Sequence, residues 1–124
     1  MKSLVWVIAE LLVIFILLTL PGNNFSGASH LFGDLPVDKL VHVLLFGSLA
    51  FSIFFYFEQS NIAILKTTRV KAWALILCIL YGIGMEFYQK YFVPSRGFEV
   101  SDMLADAIGA LLALPFFTWI RKKI

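Results

Sequence analysis

Four apolar runs constrain this chain more than any motif in it: Leu4 to Leu20, Leu40 to Phe57, Ala72 to Phe87 and Met103 to Ile120. A membrane-spanning helix needs about 20 mainly apolar residues, with a lower limit near 17. Each run lies close to that length, so the helices are expected to stand nearly upright or to extend a turn into their polar flanks. Backbone polar groups must be satisfied internally in lipid, which makes the helix the default. The alternative, a soluble fold, fails on composition. The chain has 124 residues, 60% of them hydrophobic and 15% charged. A domain this small has too much surface for its volume to hide that much apolar area from water.

The breaks between runs are equally plain. Pro21-Gly22-Asn23-Asn24 ends the first, and residues 21 to 37 read as a loop rich in Gly, Ser and Asn. Glu58-Gln59-Ser60-Asn61 ends the second, and Asn61 to Lys71 reads as a short connector whose Ile62, Ile64 and Leu65 rest on the interface. Pro94-Ser95-Arg96-Gly97 forms the third turn. Helices are expected at about 4–20, 39–57, 72–89 and 102–120, giving one all-α domain over residues 1–124, an integral membrane four-helix bundle. The two halves share no motif, so an inverted-repeat transporter is not supported.

Cation counts set the expected orientation. One side would hold Lys2, Lys66, Arg69, Lys71, Arg121, Lys122 and Lys123, and the other Lys39, Lys90 and Arg96. Seven against three places both termini in the cytoplasm, with Trp73 and Trp119 at the inner interface. A signal peptide over residues 1 to 28 is disfavoured, because Glu10 interrupts the apolar core and the run exceeds a usual signal. The net charge of +2 is small and scattered, which argues against a nucleic-acid partner. Cys78 is the single cysteine, so no intrachain disulfide can form.

In this topology the polar residues of three helices meet at the outer face. Asp38 and His42 are four apart at the start of the second helix, a spacing that puts them on one face. Glu86 and Gln89 are three apart at the end of the third. Asp102 and Asp106 are four apart at the start of the fourth. Arg96 and Glu99 lie on the joining loop, with Lys39 and Lys90 nearby. Five carboxylates (Asp38, Glu86, Glu99, Asp102 and Asp106) face three permanent cations and one histidine. An ionised group near lipid costs several kcal/mol unless it is paired or wet. These groups must therefore neutralise one another, hold a proton or bind something.

Each group also has a structural reading. Asp38 can cap the second helix and Ser101 the fourth, with Asp102 complementing the helix dipole. His42 can bond a neighbouring helix. Glu86 and Asp106 lie deeper, where carboxylates are functional candidates by default, although an ion pair with Arg96 would also account for them. Ala105, Gly109 and Ala113 repeat small residues every four positions, letting another helix approach closely. Gly109 and Ala113 share a face with Asp102 and Asp106, which turns the carboxylates into the bundle. Gly82 lies one turn below Glu86. Glu10 stands apart, in the cytoplasmic half of the first helix, and is expected to pair near Gln59 or to snorkel to the inner surface.

The chain has no Walker loop, HExxH, CxxC or nucleophile elbow. Carboxylates with one histidine suit metal-assisted or acid–base chemistry better than a Ser or Cys nucleophile. Asp38, His42, Glu86 and Asp106 are the catalytic candidates, and a divalent metal is a candidate cofactor.

Three blocks resemble the VanZ-like membrane proteins: Asp38-Lys39-Leu40-Val41-His42 followed by Phe46; Glu86-Phe87-Tyr88-Gln89 leading to Pro94-Ser95-Arg96; and Asp102-Met103-Leu104-Ala105-Asp106 followed by Gly109. The resemblance runs from about Asp38 to Leu114. Asn is frequent in the family where Asp106 stands here, and Gly where Ser95 stands. The resemblance implies a multi-pass protein of the bacterial cell membrane, and the namesake is linked to teicoplanin resistance. Three functions compete. One is binding of a lipid, lipid-linked glycan or lipophilic glycopeptide through Asp38, Lys39, His42, Glu86, Gln89, Arg96, Asp102 and Asp106. The second is an intramembrane enzyme acting on an envelope lipid. The third, a transporter or proton relay, ranks last because four short helices leave little room for a pore.

Overall fold

The apolar runs fold as helices, each reaching past its run into polar sequence. The structure is a computed structural model, and it describes residues 2–19, 37–93 and 100–123. The helices are α1 (Lys2–Thr19), α2 (Val37–Gln59), α3 (Thr68–Phe92) and α4 (Val100–Lys123), with no strand among the described residues. A single 3₁₀ turn, Ala63–Lys66, joins α2 to α3. Ile62 and Ile64 are exposed on this connector, which ends sooner than its polar composition implies. The Thr67 hydroxyl caps α3 by accepting from the Val70 backbone N–H at 3.4 Å, so Thr68–Lys71 join the helix. Of the predicted loop at 21–37 only Val37 is described, and it begins α2; the rest of the loop and the Pro94–Gly97 turn lie outside the described residues, as do Asp34, Arg96 and Glu99. Three helices, α2, α3 and α4, are long and apolar enough to cross a membrane; α1 is a shorter apolar helix.

α2 is the centre of the bundle. Its most extensive interface is with α4, and it also packs on α1 and α3. The reason is a helical stripe of large side chains: Phe46, Leu49, Ala50 and Phe54 are buried at intervals of three or four residues. Ile14 and Leu18 of α1, Cys78 and Met85 of α3, and Ala110 and Phe117 of α4 close around them. Exposed Trp6, Leu44, Leu77, Leu104 and Leu112 cover the outside, as an apolar solvent allows. Pro115 sits inside α4, a position membrane helices tolerate.

The α2–α4 seam is close because it is made of small residues. A Cβ on Gly109 would collide with the Val43 carbonyl oxygen of α2, and one on Gly47 would lie 3.1 Å from the Gly109 carbonyl oxygen. Ala105 and Ala113 are buried in the same seam direction. The small-residue repeat on α4 thus meets a glycine on the facing helix.

At one end, Glu58 Oε2 lies 3.4 Å from Arg121 Nη1 and 3.9 Å from Lys71 Nζ. Lys71 is buried over the Phe117 ring. Trp73 and Trp119 share this end. Glu10 does not reach it. Glu10 Oε1 accepts from the Ser48 hydroxyl at 2.5 Å, in the middle of α2. Ser48 is eleven residues short of Gln59, about 16 Å along the axis at 1.5 Å per residue. The pairing expected near Gln59 is therefore corrected to Ser48. The two helices run antiparallel, so their midpoints meet.

Candidate functional site

The other end of the bundle carries the polar cluster. His42 lies five residues into α2, Asp106 six into α4, and Glu86 six from the end of α3. At 1.5 Å per residue all three sit about 8–9 Å below their helix ends. Helical spacing puts them on inward faces, and all three are fully buried.

The centre is one short hydrogen bond. His42 Nδ1 lies 2.6 Å from Asp106 Oδ1, a bond the carboxylate accepts from the ring N–H. On the other side of the ring, Nε2 lies 3.7 Å from Asp102 Oδ2. Asp102 Oδ1 in turn accepts from the Lys39 ammonium. The order from rim to interior is Lys39, Asp102, His42, Asp106. Only Lys39 is appreciably open, with 28% of its side chain exposed. A charge-assisted chain of this kind satisfies groups that lipid or protein interior cannot.

Gly82 completes the floor. A Cβ there would stand 2.6 Å from Asp106 Oδ2 and 2.9 Å from Asp106 Cβ. The glycine on α3 lets α4 press its carboxylate against the α3 backbone. Glu86 is one turn along the same α3 face, buried beside this contact. Asp38 stands in the first turn of α2, and Ser101 lies within the first turn of α4 rather than before it. Arg96 and Glu99 lie outside the described residues.

Gln89 shares the Glu86 face, but its amide reaches elsewhere. Gln89 Nε2 donates to the Leu18 carbonyl oxygen at 2.8 Å, near the end of α1. An end-of-helix carbonyl has no partner within its own helix, and Gln89 supplies one. Tyr81 adds a second bridge about two turns further in, donating from its hydroxyl to the Leu11 carbonyl at 3.0 Å, an oxygen inside α1 and not at its end. These two bonds pin α1 to α3. Sequence reasoning did not find Tyr81, because an aromatic on an apolar helix carries no signal of its own. Gln89→Leu should lower the stability of the folded protein by about 1–3 kcal/mol, the cost of a buried carbonyl left unsatisfied. A thermal unfolding midpoint in detergent checks this, and an unchanged midpoint would assign Gln89 no such role.

Below the cluster, the α2–α4 seam opens to the outside as a groove of ≈ 660 Å³, lined by Val43, Gly47, Phe51, Gly109, Ala113 and Phe116. Lys39, Val43, Gly47 and Phe51 follow one another at four-residue spacing, so the groove starts under the Lys39–Asp102 pair.

The arrangement can orient an imidazole between two carboxylates, the geometry acid–base chemistry uses. It can also offer a rim cation to an anionic group. No three His, Cys, Asp or Glu side chains among the described residues are grouped to hold a metal ion.

An apolar bundle of four helices with a buried histidine–carboxylate chain at one end defines a small integral membrane protein. The chain matches the VanZ/LLP1 family over residues 4–121 and belongs to it. No curated protein and no solved structure matches the chain.

Proposed function

We propose that this chain is a four-span protein of the bacterial cell membrane whose His42 end binds the polar head of a lipid, lipid-linked glycan or lipophilic glycopeptide. Both termini lie in the cytoplasm in this reading, because the cations of Lys66, Arg69, Lys71 and residues 121–123 crowd the Trp119 end. The His42 end then faces outward. The observation that carries the reading is the rim-to-interior order of Lys39, Asp102, His42 and Asp106. It sets a half-buried cation at headgroup depth, held by acids that are themselves anchored in the bundle. The apolar groove beneath supports an amphiphile, since an acyl chain fits below a head held at Lys39. Membership of the VanZ family supports a glycopeptide of the teicoplanin type.

Expression in a teicoplanin-susceptible bacterial host should lower its susceptibility to teicoplanin, and Lys39→Met and Asp106→Asn should each abolish that effect while the protein still accumulates. Equal susceptibility with and without the chain would overturn the glycopeptide form of the reading. Lys39→Met should also weaken binding of a lipid-phosphate probe about tenfold, the equivalent of 1.4 kcal/mol.

The 2.6 Å His42–Asp106 bond favours a second reading, an intramembrane enzyme in which Asp106 orients His42 as acid or base toward an envelope lipid. The variants separate the two. Loss in His42→Ala and Asp106→Asn with full function in Lys39→Met selects the enzyme.

A further inference from the structure

Glu10 lies outside the His42 cluster, its partner Ser48 being six residues, about 9 Å, further along α2, and nothing in the proposed function uses it. It is the ninth of eighteen residues in α1, and its partner Ser48 is the twelfth of twenty-three in α2. Both therefore sit at mid-depth in the apolar layer. A carboxylate at the centre of a spanning helix is among the costliest groups a membrane protein can carry, and such groups mark ligand or ion positions.

The two oxygens of Glu10 differ. Oε1 accepts from the Ser48 hydroxyl at 2.5 Å. Oε2 is buried and has no hydrogen-bond donor among the described residues. No ion pair joins it to a basic side chain among the described residues, and Lys71 and Arg121 lie with Glu58 at the Trp119 end. The carboxyl lines a cleft of ≈ 270 Å³ between α1 and α2, walled by Trp6, Ala9, Val13 and Leu45. Trp6 is one turn from Glu10 on the same face of α1, and it is 68% exposed. An indole face is the best aromatic partner for a cation.

A buried acceptor without a donor, an indole one turn away and apolar walls describe one kind of guest. We infer that Glu10, Ser48 and Trp6 form a lateral binding site for an apolar amine, whose ammonium donates to Glu10 Oε2 and packs on Trp6 while its hydrocarbon part fills the cleft. Ser48 is a positioning residue, since its hydroxyl fixes Oε1 and turns Oε2 toward the cleft. The site opens sideways to lipid on the α1 side of α2; Ser48 also borders the α2–α4 groove, while Glu10 and Trp6 belong to this cleft alone of the two.

The test uses the full chain in phosphatidylcholine nanodiscs, with Trp73 and Trp119 replaced by Phe so that Trp6 is the sole tryptophan. The probe is a dansyl-labelled alkyl amine, compared with the same probe ending in an alcohol. The amine should accept energy from Trp6 in a saturable manner, and Glu10→Gln should weaken its apparent affinity at least tenfold. Gln keeps an oxygen for the Ser48 hydroxyl, so the fold is retained. Ser48→Ala should weaken the amine without altering the alcohol. The alcohol should give only a linear, partition-driven response. An equal response of amine and alcohol, or an amine affinity unchanged by Glu10→Gln, overturns the site. So does a wild-type dimer that Glu10→Gln converts to a monomer, since a second copy would then fill the cleft. Should Glu10→Gln fail to accumulate, Glu10→Asp serves instead: its shorter arm should weaken amine binding, and full affinity would overturn the assignment.

Discussion

Gly109→Ala should destabilise the bundle by about 1–3 kcal/mol, the usual cost of overpacking a well-filled interface. The added carbon would collide with the Val43 backbone carbonyl of α2, and backbone cannot rotate aside as a side chain can. Either the two helices separate along their whole seam or the collision persists. Gly47→Ala, at 3.1 Å from the Gly109 carbonyl oxygen, should cost less. Gly84→Ala meets nothing within 4 Å and should stabilise α3 by about 0.5–1 kcal/mol through helix propensity alone. Thermal aggregation midpoints of the three variants in one detergent check the order. A Gly109→Ala midpoint at or above that of Gly84→Ala would remove the close seam from the account of the fold.

The second large effect belongs to Asp106. Asp106→Ala takes from a fully buried His42 the acceptor 2.6 Å away. Breaking one partner of a buried charged pair commonly costs about 3–5 kcal/mol. The Asp102 carboxylate, 3.7 Å from the other ring nitrogen, limits the loss, so the lower end of that range is expected. Asp106→Asn keeps the volume and an acceptor oxygen and should cost clearly less. Gly82→Ala offers a separate route to the same bond: its Cβ would stand 2.6 Å from Asp106 Oδ2, pushing the carboxylate without changing its chemistry. The midpoint should fall in the order Asn, then Gly82→Ala, then Asp106→Ala. A midpoint for Asp106→Ala equal to wild type would show that the bond contributes nothing to the fold.

What could be read from sequence was whatever is encoded within one helix. The Asp102–Asp106 spacing, with Gly109 and Ala113 beneath, placed the carboxylates on the inward face of α4, and Asp102 and Asp106 are buried there. The apolar runs placed four helices, short of their true ends because Thr68–Lys71 and Glu58–Gln59 are polar yet helical. Partners across helices were not legible. Gly82 reads as space beneath Glu86 of its own helix, but its neighbour is Asp106 of α4. Gln89 reads with the acids, but its amide serves the Leu18 carbonyl of α1. Glu10 reads as a residue near a surface, but antiparallel register brings it to Ser48. In each case the side chain's face was encoded and the facing helix was not, since which helix neighbours which is a property of the packed bundle.

The order of helices along the chain has a consequence for how the protein is made. His42 and Asp106 are 64 residues apart, and Lys39 and Asp102 are 63 apart, with α3 between them. α2 therefore leaves the ribosome and enters the bilayer carrying an imidazole and an ammonium whose acids are not yet synthesised. The His42–Asp106 and Lys39–Asp102 pairs therefore close only once α4 is in place, so the sealing of the polar end waits on the last helix of the bundle.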